Sequence, residues 1–133
     1  MVDVYLDMDG TIADLYNFPK WLEYIEQERE NLFKRLRPMI RREQLHEMFP
    51  STEYKITILS MTPMGASVEY CAKVIEEKNE WLDRHFPEIT SRIYLPYSLD
   101  KNLKNSENAI LIDDNAHIRH NWKGIAINPM KIW

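Results

Sequence analysis

The chain has 133 residues, 17 lysines and arginines against 21 acidic residues, and a formal net charge of −4. That length suits one domain with a real core and is too short for two. The mixed charge gives no basic stripe for non-specific nucleic-acid binding, and the single Cys71 rules out an internal disulfide.

The N-terminal MVDVYLDMD lacks the basic and apolar regions of a signal peptide. No apolar run approaches the roughly 20 residues that cross a bilayer. The expectation is a cytoplasmic protein with no membrane partner and no stable nucleic-acid partner. Composition leaves the oligomeric state open.

Val2 to Leu6 is apolar and β-rich, a candidate first strand. Phe18 to Leu36 places Trp21, Leu22, Ile25, Leu32, Phe33 and Leu36 at helical spacing among charges, with Pro19 suited to a first turn. Pro38 interrupts, and Met39 to Met48 predicts a second, short helix. Tyr54 to Leu59 (YKITIL) predicts a second strand. Gly65 to Phe86 repeats its apolar positions at three, four and seven, an amphipathic helix. Ile93 to Leu95 predicts a short strand, and Ala109 to Ile112 (AILI) a strand buried on both faces. Ala116 to Trp122 predicts a helix and Ile125 to Ile127 a last strand.

Strands alternating with helices predict an α/β fold, a parallel sheet of about five strands with helices on both faces. Open sheets of this kind bind ligands beyond the carboxyl ends of their strands. Asp7, Asp9, Gly10 and Thr11 follow the first strand; Ser60, Met61 and Thr62 lie at the end of the second. Lys101 lies in the loop after the third, and Asp113 and Asp114 follow AILI. Four carboxylates crowded at one edge repel, and either protonation or a divalent cation relieves them. Carboxylate oxygens suit a hard cation, and Mg²⁺ in particular where a phosphate shares the site. Lysine and hydroxyls beside such an ion point to a phosphorylated substrate. No G-x-x-x-x-G-K-[ST] occurs, so this is not a P-loop nucleotide binder.

The arrangement resembles the haloacid dehalogenase (HAD) superfamily of phosphohydrolases. Asp7-Met8-Asp9-Gly10-Thr11 matches the D-x-D-G-T motif, Ser60 the serine or threonine closing the second strand, Lys101 the motif lysine, and Asp113-Asp114 the acidic pair. The four occur in the family's order. The resemblance implies that Asp7 is the nucleophile and forms an aspartyl phosphate. It implies that Asp9 is the general acid and base and lends its backbone carbonyl to Mg²⁺. Gly10 and Thr11 would turn the chain around the phosphate, Ser60 would bind a phosphate oxygen, and Lys101 would neutralise it. Asp7, Asp9, Asp113 and Asp114 would form the metal site, with Asp114 favoured over Asp113 as direct ligand. Thr62 competes with Ser60 for the second motif, and Lys104 with Lys101 for the third.

A narrower resemblance is to the 5′(3′)-deoxyribonucleotidases, the cytosolic type C 5′-nucleotidase family. It rests on "DMDGTIADL", on "MTP" after the second strand, and on "LIDDN" followed by "GIAIN". It implies a nucleotidase acting on deoxynucleoside monophosphates, with residues 16–50 as a small helical cap within one domain spanning 1–133. Phe18, Trp21 and Phe33 could stack on a base or merely pack the cap. A phosphatase for phosphorylated nucleic-acid ends or for a sugar phosphate is the alternative. A phosphoaspartate receiver uses the same residue types in another order, with the acidic pair first. A non-catalytic binding domain fits poorly, because every motif position is filled. The bland readings are a solvated turn for Asp7 and Asp9 and a helix N-cap for Asp113 or Asp114.

Overall fold

The structure, a computed structural model, describes residues 1–133. Five strands form one sheet: β1 (Val2–Leu6), β2 (Tyr54–Met61), β3 (Arg92–Leu95), β4 (Ala109–Ile112) and β5 (Ile125–Ile127). Their spatial order is β3-β2-β1-β4-β5 and every pairing is parallel. The chain steps outward from β1 through β2 to β3, then returns across β1 to lay down β4 and β5. The order therefore reverses beside β1, where crevices form in such sheets.

The strands are apolar on both faces because both are covered. Val4, Leu6, Ile58 and Ile112 join a cluster of 20 buried residues that includes Tyr70, Val74, Trp81 and Leu82 of α3 (Val68–His85). Tyr5, Leu59, Ala109 and Leu111 point the other way, onto Ile118 of α4 (Ala116–Asn121) and Trp122. Neighbouring strand residues thus serve opposite layers, as a period of two requires. Ser67 caps α3, its hydroxyl accepting the Tyr70 N–H at 3.1 Å, and Asn115 caps α4 through the His117 and Ile118 N–H groups. No helix is long and apolar enough to cross a membrane.

The β1–β2 connection departs from its helical periodicity. Only α1 (Trp21–Glu26) and α2 (Arg42–Met48) are α-helical, with a 3-10 turn at Phe33–Arg35 between them. Glu28 and Asn31 take positive φ values of 50° and 67°, which end the first helix early. Tertiary bonds outweigh local propensity here. Asn31 N–H and Lys34 N–H donate to the buried Glu77 carboxylate at 2.9 and 3.4 Å. Tyr70 hydroxyl donates to the Arg29 carbonyl at 3.0 Å, and Trp81 Nε1 to the Leu36 carbonyl at 2.8 Å. Residues 29–36 are thereby fastened along α3.

Candidate functional site

Beyond Leu6 the backbone leaves the sheet in a tight turn. The N–H groups of Thr11, Ile12 and Ala13 all donate to the Met8 carbonyl, and Gly10 N–H donates to the Ala13 carbonyl. Gly10 has φ 80°, and a Cβ there would lie 2.5 Å from both Asp114 Oδ2 and Tyr16 Cε2. A side chain at this position is excluded by conformation and by space. Trp133 Nε1 donates to the Thr11 carbonyl at 2.8 Å and holds the far side of the turn.

The turn and the end of β4 bring Asp7, Thr11, Asp113 and Asp114 around Lys101. Lys101 is buried, and all three of its ammonium protons are used: Asp7 Oδ1 at 2.8 Å, Asp113 Oδ2 at 2.8 Å and the Leu59 carbonyl at 2.9 Å. Thr11 hydroxyl donates to Asp7 Oδ2 at 2.9 Å and accepts the Asp114 N–H at 3.2 Å. Asp113 Oδ1 accepts the Asn115 N–H at 2.9 Å, so both of its oxygens are engaged. Lys104, the competitor for the lysine role, is exposed.

A second lysine, which the motifs do not pick out, serves the other side. Lys78 of α3 is fully buried. Its ammonium donates to Asp9 Oδ2 at 2.9 Å, Ser60 Oγ at 2.8 Å and the Met61 carbonyl at 2.8 Å. The Phe33 ring centroid lies 5.1 Å from it. Asp9 Oδ1 is buried with no hydrogen-bond partner. Sequence holds one signal for Lys78: it stands four residues after Val74 and four before Leu82, a charge on the apolar stripe of its helix.

Burial alone would raise the Asp7 carboxyl, but Lys101 and the hydrogen bonds around it outweigh burial and hold it below its ordinary value. Burial raises Asp9 beyond what Lys78 offsets. Burial, then Asp7, pushes Asp113 up to about 6, against the pull of Lys101. Burial with the neighbouring Asp7 and Asp113 pushes Asp114 up to about 8. Burial opposes the charge on Lys101, yet Asp7 and Asp113 prevail and raise it. One oxygen from each of Asp7, Asp113 and Asp114 lie within 4.8 Å of one another. Three clustered carboxylates against one lysine form an oxygen-only donor set short of positive charge, and that set could hold a hard divalent cation.

These groups open into a cavity of about 520 Å³, a size that suits a small molecule. Asp7, Asp9, Lys101, Asp113 and Asp114 line its polar side. Trp21, Ile25, Phe33, Met61 and Met64 line the apolar side. Of the aromatic candidates, Trp21 and Phe33 reach the cavity, with Tyr16 edge-on to Trp21 at 5.0 Å. Phe18 packs instead against Tyr24 and Arg35. Ser60 is buried beneath the site in contact with Lys78, whereas Thr62 turns to β3, its N–H donating to the Leu95 carbonyl at 2.9 Å.

No protein-family model matches this chain, and no curated protein matches it.

Proposed function

We propose that the chain is a divalent-cation-dependent phosphomonoesterase of the haloacid dehalogenase type, with nucleoside monophosphates as substrates and residues 16–50 as its cap. The observation that carries the reading is the pairing at the end of β1. Asp7 is held ionised by Lys101 and Thr11, and Asp9, two residues on, keeps a buried oxygen free. Both line the same cavity.

Asp7 attacks phosphorus in line with the leaving oxygen; the new Asp7 O–P bond forms as the P–O ester bond breaks. Asp9 passes its proton to the departing alkoxide, which leaves as an alcohol. Water then attacks the aspartyl phosphate, Asp9 takes its proton, and inorganic phosphate leaves with Asp7 restored. The resemblance to the family assigns phosphate-binding roles to Gly10, Thr11 and Ser60. Burial raises the Asp9 carboxyl, the direction that favours a group able to hand over a proton. Asp7, Asp113 and Asp114, with the Asp9 carbonyl, would hold Mg²⁺, which when bound supplies positive charge to the phosphoryl oxygens.

The aromatic and aliphatic wall favours a nucleoside over a bare sugar on the ester, because a base buries apolar surface that a sugar lacks. The test is phosphate release from dUMP and dTMP with Mg²⁺, beside phosphorylated oligonucleotides and sugar phosphates. Release from the nucleotides, lost in Asp7→Asn, is expected. No release from any substrate sinks the reading.

A further inference from the structure

We propose that Lys78 is a positioning residue of the reaction, which aims the free oxygen of Asp9 at the leaving group. The inference rests on the phosphomonoesterase reading.

The geometry carries it in three steps. A lysine ammonium only donates, and all three of its protons are placed on Asp9, Ser60 and Met61. Ser60 Oγ is therefore an acceptor in that bond. Ser60 lies beneath the cavity, so this bond ties the ammonium to the end of β2. The same ammonium takes Asp9 Oδ2, so the two Asp9 oxygens are no longer equivalent. Oδ1 stays buried and unpartnered, on a residue that lines the cavity. A buried oxygen without a partner calls for one, and a proton shared with a leaving oxygen supplies it.

Lys78 also differs from a lysine that merely fills space. It is fully buried, comes from a helix rather than from a strand end, and makes its only ion pair with Asp9. A purely structural role, tying the Met61 carbonyl to α3, would affect every substrate alike. A positioning role would not, because the demand for a proton depends on the leaving group.

The experiment compares kcat/KM for dUMP and for p-nitrophenyl phosphate, both with Mg²⁺, in wild type, Lys78→Met and Asp9→Asn. This ratio reports only steps up to departure of the leaving group, so the later hydrolysis of the aspartyl phosphate does not blur it. p-Nitrophenolate leaves without a proton; the deoxyribose hydroxyl does not. In Lys78→Met the loss on dUMP should be on the order of 100-fold, the low end of a general acid's contribution. The loss on p-nitrophenyl phosphate should be smaller by at least about tenfold, and Asp9→Asn should show the same asymmetry. Adding Lys78→Met to Asp9→Asn should then cost little more on dUMP, since one acts through the other.

Equal losses on both substrates, or no loss, overturn the inference while leaving the phosphatase reading standing. Wild type inert on both substrates overturns that reading, and the inference with it. If Lys78→Met fails to fold, Lys78→Arg keeps the charge but misplaces it, and the same asymmetry is required.

Discussion

Around β1 and β4, three carboxylates cluster beside one lysine, which pairs with Asp7 and Asp113; around β1 and β2, one carboxylate has a lysine to itself. Counted as full charges, the first half carries −2 and the second is neutral. Both lie at the mouth of the same strand, so the difference comes from which neighbours the sheet order supplies. β4 ends in an acidic pair, and β2 ends in a serine with α3 behind it. A half that lacks positive charge is suited to gain a cation. A neutral half with one free carboxylate oxygen is suited to proton transfer. In the proposed reaction, one strand end divides two chemical tasks between its two neighbours.

The sharpest way to break that division is at Asp7, which belongs to the charged half and faces the shared cavity. Asp7→Asn keeps the shape and removes the charge that attacks phosphorus in the proposed reaction. Phosphate release from dUMP should fall on the order of 10⁴-fold or more. Its thermal transition should move little, because Lys101 keeps Asp113 as a partner.

The two lysines give the next contrast, read by urea unfolding in metal-free buffer. Lys101→Met strands two buried carboxylates and should cost about 3–5 kcal/mol. Lys78→Met strands only Asp9, whose carboxyl is already raised and can accept a proton, so its loss should be clearly smaller. Equal losses would show that the halves are not electrostatically distinct.

Gly10 lies in the turn where both halves meet. Gly10→Ala should destabilise by about 1–3 kcal/mol from its positive φ, with further displacement of Asp114 or Tyr16. Unfolding by denaturant measures the first, and a loss of Mg²⁺ affinity in calorimetry measures the second.

The smallest effect is the response to pH. The Asp114 carboxyl stands at about 8 in the folded protein, above its ordinary value when unfolded. The folded state therefore binds more protons than the unfolded one across that interval, and stability falls as pH rises through it. In chelator, the melting temperature should decline between about pH 6 and 8 and level off above that. The decline should vanish in Asp114→Asn and flatten when Mg²⁺ is added. A rise over the same interval would reverse the assigned sign.

Much of the charged half was legible in sequence, because its parts are local. D-x-D-G-T follows an apolar run, and Asp113-Asp114 follows another. Only the pairing of β1 with β4 was needed to join them, and alternation of elements supplies it. The neutral half was less legible. Ser60 could be read from its strand end, but Lys78 reaches it from the far side of a crossover. Among Glu76, Glu77, Asn79 and Glu80 it resembles an ordinary solvated charge. Only its place on the stripe of Val74 and Leu82 marks it, and Glu77, three residues after Val74 and four before Trp81, shares that mark. The break after α1 was not legible at all, since Phe18 to Leu36 has helical spacing throughout. Its cause lies in Glu77, Tyr70 and Trp81, distant in sequence, which bind backbone groups that a continuous helix would have kept for itself.

Those same bonds bear on how the cavity moves. Glu77 holds the Asn31 and Lys34 amides, and Tyr70 and Trp81 hold the Arg29 and Leu36 carbonyls. Protons at these amides should exchange with solvent only when α3 itself opens, which places this wall in the slow-exchanging class rather than with surface loops. The wall and α3 form one mechanical piece. The exposed side chains of Tyr16 and Met64 then form the open rim of a cavity whose opposite wall is fixed.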